Sequence, residues 1–170
     1  MKQVRNNVFE TNSSSQHTLS LNYGHVSHRD DIPQNEFIEI DTNDYADWNG
    51  NVHELVFRTE MAKLAFMLIM CYVKMGEYNY NFRFTKNTID SEPMSWLADV
   101  IEQERGSYLV PKHVEELGSL NDESDLREFI SDVSHLYGNH PFDNEEDFKK
   151  MAKEIIFDDR VVIKDEIMRM

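Results

Sequence analysis

Between Glu10 and His17 the chain reads ETNSSSQH, which sets one carboxylate, one imidazole, two amides and four hydroxyls within eight residues. Three chemistries fit these residue types. In the first, a serine of Ser13 to Ser15, with Ser14 the central candidate, is a nucleophile activated by His17, and Glu10 orients the imidazole. No G-x-S-x-G elbow accompanies it, and no donor pair for an oxyanion is identifiable. In the second, Asn12, Ser13, Ser14 and Ser15 hold a small anion with help from Arg5, although no glycine lets the backbone approach a phosphate closely. The third needs no ligand: Asn and Ser side chains satisfy neighbouring backbone groups, and the segment is a turn between strands.

The segment GHVSHRDD brings His25 and His28 three residues apart beside Asp30 and Asp31. On a helix the two imidazoles could share a metal, but Gly24 and Pro33 favour a loop, so no metal site is expected. One His-x-Ser, at His25, has no second copy to make a two-histidine phosphoesterase pair. His135 falls near a helix C-terminus, where an imidazole suits the dipole, and His140 lies in the turn after it. The acidic clusters near the C-terminus lack the EF-hand spacing, and nothing resembles a P-loop or dinucleotide fingerprint, so no cofactor is expected.

The opening of the chain carries a resemblance. Arg5, the run Val8-Phe9-Glu10-Thr11-Asn12, the three serines and His17-Thr18-Leu19 are similar to the N-terminal signature, FETNSSSxH, of small proteins of bacteriophages and prophage-bearing, mostly Gram-positive bacteria. It covers about the first twenty of 170 residues. It implies phage association and supplies no catalytic residue.

Composition bounds what such residues can belong to. With 40% apolar residues and 11% aromatics, the chain has enough hydrophobic material to fold without staples, and one domain over residues 1–170 is the economical reading. Cys71 stands alone, so no intrachain disulfide forms. MKQVRNNVFE has no apolar stretch behind its charges, and LAFMLIMCYV is about half the length of a membrane span, so a cytoplasmic protein without membrane contact is expected.

The net charge of −15 is uneven: acids and bases balance at three each to Asn35, thirteen acids meet seven bases from Glu36 to Lys112, and sixteen meet seven from His113 onward. That field repels phosphate backbones and attracts basic surfaces. The aromatics of YNYNFRF, with Trp48 and Trp96, are accordingly read as core rather than base-stacking groups.

The elements that must position these residues follow from periodicity. Extended segments are expected at Val4 to Phe9, Thr18 to Tyr23, Glu36 to Asp41, Tyr78 to Phe84 and Arg160 to Glu166; His53 to Arg58 either closes the sheet or opens the next helix. Thr59 caps a central buried helix that ends at Gly76, a position suited to the left-handed conformation. A second helix starts near Ser91-Glu92-Pro93, buries Trp96, Leu97, Val100 and Ile101, and ends before Gly106. A third buries Leu126, Phe129, Ile130, Val133, Leu136 and Tyr137 before Gly138; a fourth, capped by Asn144, buries Phe148, Met151, Ala152, Ile155 and Ile156.

These patterns predict an α+β fold: a small, mostly antiparallel sheet from the N-terminal third plus about four helices. The functional expectation is a phage-encoded acidic protein without chemistry of its own that attaches to a host or defence-system protein through a basic surface. An enzyme using Glu10, Ser13 to Ser15 and His17 on a phosphate- or nucleotide-containing substrate is the alternative, and a self-associating homo-oligomer is a third reading.

Overall fold

The structure, a computed structural model, describes residues 15–21, 30–45, 47–49, 54–76, 89–113 and 123–167. The expected strands at Val4 to Phe9 and Tyr78 to Phe84 lie outside them. Six strands and four α-helices are described, in an α+β arrangement. In chain order they are β1 (Ser15–Leu21), β2 (Phe37–Asp41), β3 (Asp47–Asn49), β4 (Glu54–Phe57), α1 (Glu60–Gly76), α2 (Met94–Arg105), β5 (Tyr108–His113), α3 (Glu123–Tyr137), α4 (Glu145–Phe157) and β6 (Val161–Ile167).

Helix α1 sets the centre. Its run of Leu, Phe, Met and Ile has no polar side, and of its residues only Tyr72 and Gly76 escape burial. Thr59 caps it as the sequence suggests, its hydroxyl accepting the Ala62 N–H at 3.1 Å. Packing on every side forces Lys63 indoors with the apolar residues. Its amine donates to the carbonyls of Asp158 (2.9 Å) and Val161 (3.3 Å), and burial pulls its pKa below the usual lysine value. Cys71, on the same helix, is fully buried, and burial pushes its thiol pKa well up.

Helices α2, α3 and α4 pack around α1. The α2 stripe of Trp96, Leu97, Val100 and Ile101 is buried as its spacing predicts. Helix α4 is capped by Asn144, which accepts the Asp147 N–H at 3.0 Å, and buries all five apolar residues assigned to it. Phe66, Phe129, Phe142 and Phe148 form a chain of edge-to-face rings through the middle, with centroids 5.0 to 6.2 Å apart.

The α3 stripe is narrower than expected. Leu126, Phe129, Val133 and Tyr137 are buried, but Ile130 is half-buried and Leu136 is 55% exposed. At 3.6 residues per turn those two sit about 60° to either side of the stripe's centre, at its margins.

Strands β1, β6, β4 and β3, in that order, form a four-stranded antiparallel sheet. Its inner strand β6 comes from the far end of the chain, as RVVIKDE allowed. The segment at His53 to Arg58 resolves as strand β4, not helix. The other sheet has two parallel strands, β2 and β5. Glu36 to Asp41 pairs not with the N-terminal strands but with β5, a strand without a signal of its own in the sequence.

One glycine departs from expectation. Gly76 is the last residue of α1 and does not take a positive φ, whereas Gly106 does, at +66°. A Cβ on Gly106 would stand 2.5 Å from Asn35 Oδ1, and one on Gly76 would meet nothing within 4 Å. Gly106→Ala is therefore expected to destabilise the fold by about 1–3 kcal/mol, and Gly76→Ala to stabilise it by about 0.5–1 kcal/mol. Chemical denaturation of the two variants checks both signs.

Candidate functional site

The β2–β5 pair owes its two faces to simple alternation. In FIEID, Ile38 and Ile40 turn inward and are buried, and Leu109 of β5 joins them. The opposite face then receives Phe37 with Glu39, and Tyr108 with Val110. Phe37 is 77% exposed, Tyr108 52% and Val110 42%. Phe37 and Tyr108 are register partners whose rings lie 5.6 Å apart, tilted by 31°. Isolated surface apolar residues are ordinary, but three neighbouring ones, two of them aromatic, on one strand pair form a candidate contact surface. The described carboxylates beside it are Glu36 and Glu39, both exposed, and half-buried Asp41.

This small sheet is held on the body by a polar joint. Asn35, at φ 56°, donates its N–H to Arg105 O at 3.0 Å, hooking the entry to β2 onto the end of α2. The Ser107 hydroxyl donates to Pro33 O at 2.6 Å and accepts the Glu36 N–H at 3.2 Å. Beneath these bonds, the buried Glu60 carboxylate takes the Ile32 N–H at 2.9 Å and the Arg105 guanidinium at 2.6 Å. Arg105 also covers the Phe157 ring at 4.8 Å. Farther up the loop, the Thr59 hydroxyl donates to Asp30 at 3.2 Å. The aromatic pair therefore stands on a fixed base, and little ordering is left for a partner to impose.

Of the residues singled out from sequence, Arg5, Glu10, Asn12, Ser13, Ser14, His25 and His28 lie outside the described residues. Ser15 opens β1, and His17 stands two residues on, directly opposite Asp165 of β6 in the antiparallel register. Asp165 is 0% exposed and is also opposite Leu55 of β4. The sequence suggests Glu10 as the carboxylate for His17, and nothing in it singles out Asp165. Only strand pairing between the two ends of the chain brings the latter near.

His135 is exposed on the last turn of α3, and exposed His140 lies 3.9 Å from Asp143. Trp96 packs on Phe148 at 5.8 Å, inside the core. Among the described residues no group of three His, Cys, Asp or Glu side chains is placed to hold a metal ion. No helix among them is long and apolar enough to cross a membrane.

A groove of about 540 Å³ lies where α4 ends, lined by Lys153, Glu154, Phe157, Asp158, Asp159 and Arg160. Two of its cations are already engaged: Lys153 meets Glu104 at 2.7 Å, and Arg160 meets Asp158 at 2.7 Å. Hydrogen bonds from Arg160 hold Asp158 below the usual carboxylate range. Lys149 is likewise shared between Asp99 and Glu145. These bases are taken up by acids of the same chain, which makes the groove a poor site for an anion.

No protein family, no curated protein and no solved structure matches this chain.

Removing the buried carboxylate of the joint should loosen the sheet that carries the aromatic face. Glu60→Ala leaves the Ile32 N–H and Arg105 without their acceptor and is expected to cost about 2–3 kcal/mol. Hydrogen exchange should locate the loss of protection at residues 32–41 and 107–110, ahead of α4.

Proposed function

We propose that this chain is an acidic binding protein, borne by a phage or prophage, that attaches through the exposed face of β2 and β5 to a host or defence-system protein and blocks it. The observation that carries the reading is the Phe37–Tyr108 pair, its tilted rings exposed together on a two-stranded support. Aromatic anchors of this kind supply much of the energy of protein interfaces, and the surrounding carboxylates select a partner with bases at its rim. The net charge of −15 works in the same direction and disfavours nucleic acid. The signature at the start of the chain supports the phage setting, and the host cytoplasm is the corresponding place of action.

Affinity capture from a host lysate with the whole protein tests it. One protein should be retained in stoichiometric amount, and Phe37→Ser with Tyr108→Ser should reduce its yield by about tenfold or more, the scale of aromatic hot spots. His17→Ala should retain it fully. Unchanged capture by the double variant would remove the face from the reading.

A second reading is favoured by one observation, the placement of His17 opposite the buried Asp165. Under it the chain is an enzyme that acts on a phosphate- or nucleotide-containing substrate through Ser13 to Ser15 and His17, with Asp165 joining or replacing Glu10 as the orienting carboxylate. Joint replacement of Ser14 and His17 by alanine would then abolish the biological effect in a variant that still melts cooperatively. Binding alone predicts that the effect survives.

A further inference from the structure

The β2–β5 pair offers more than an aromatic face, because among the described residues no strand pairs either of its outer backbone edges. The Tyr108 N–H donates to Glu36 O at 2.9 Å, and the register runs Phe37 to Tyr108, Ile38 to Leu109 and Glu39 to Val110. In a parallel ladder, alternate residues turn both backbone groups toward the same neighbour. Tyr108 and Val110 therefore bond toward β2, and Leu109 and Pro111 turn away from it. By the same alternation Ile38 and Ile40 turn toward β5, while Phe37 and Glu39 present N–H and C=O on the outer side of β2.

The two edges are not equivalent. Pro111 has no N–H to offer, so the outer side of β5 is a poor template for another strand. Among the described residues no strand pairs the outer side of β2. The residues whose backbone groups point outward there, Phe37 and Glu39, are also those whose side chains are exposed.

We propose that an extended segment of a partner protein adds to this edge as a third strand, setting an apolar or aromatic side chain against Phe37 and a basic one beside Glu39. The proposal rests on the binding function above and specifies its mode: main-chain bonds hold the segment, and the alternating side chains choose it. Charge decides the occupant. The described ionised groups on β2 and its entry are Glu36, Glu39 and Asp41, all acidic, on a chain of net charge −15. A second copy would bring the same sign to the same edge, where like charges across strands are unfavourable. A basic, apolar segment meets both demands.

Nuclear magnetic resonance of the whole protein, titrated with synthetic peptides, tests this. The probes are a peptide in which valine and lysine take turns on one face of the strand (Val-Thr-Lys-Thr repeats), its valine–glutamate counterpart, and a valine–lysine peptide N-methylated on both edges. The valine–lysine peptide should bind saturably, slow exchange of the Phe37 and Glu39 amides, and bind at least about fivefold more tightly than the glutamate peptide. Glu39→Lys should reverse that preference, and N-methylation should abolish binding.

Equal binding of the methylated and unmethylated peptides would overturn strand addition while leaving the aromatic face as the contact surface. Absence of saturable binding at millimolar peptide would overturn it as well. Protection of Phe37 and Glu39 that grows with protein concentration, without peptide, would assign the edge to a second copy and overturn it too. Failure of the functional reading itself shows separately, as a host lysate from which the whole protein retains no protein in stoichiometric amount.

Discussion

A helix that is buried all round has no polar side on which to leave a charge, and Lys63 is the consequence. Its amine must find acceptors indoors, because an unpaired ammonium in a protein interior costs several kcal/mol, on the order of the penalty for any buried ion. It finds them in two carbonyls of the α4–β6 turn, at Asp158 and Val161. A cation there also suits the C-terminal end of α4. One side chain thus satisfies its own charge, closes the last turn of one helix and fixes the first residue of β6. Since β6 lies between β1 and β4, the antiparallel sheet takes its alignment from that point.

The two sheets are held by different means. Strands β4 and β6 present Leu55, Phe57 and Ile163 on one face and Val56 and Val162 on the other, all of them buried, and the first three join the apolar core. Strands β2 and β5 have one buried face only, and polar bonds through Glu60, Arg105, Asn35 and Ser107 do much of the anchoring. Such bonds have strict geometry, which holds Phe37 and Tyr108 in one orientation.

Local signals made the helices legible. Thr59 and Asn144 cap where their side chains allow, and the stripes of α2 and α4 are those that 3.6-residue spacing draws. Strand pairing was less legible because it depends on residues far apart in the chain. Strand β5 contains a proline and one clear inward residue, Leu109, which gives too short an alternation to stand out. The candidate surface was nonetheless present in outline. Once Ile38 and Ile40 share a face, period two sends Phe37 out with Glu39, and an aromatic residue on the polar side of a strand was the signal to follow. Asp165 carried no such signal; its position opposite His17 exists only in the folded register.

The lone thiol has a practical consequence. Cys71 lies at 0% exposure on α1, with its ionisation suppressed, so a thiol reagent meets it only when the helix leaves its surroundings. Its rate of alkylation in the native protein is therefore a clock for the largest opening motions, read without any added probe. A cysteine introduced on the outer strand pair would be modified orders of magnitude sooner, which lets a single reactive label be placed at the candidate surface while the original sulfur stays silent.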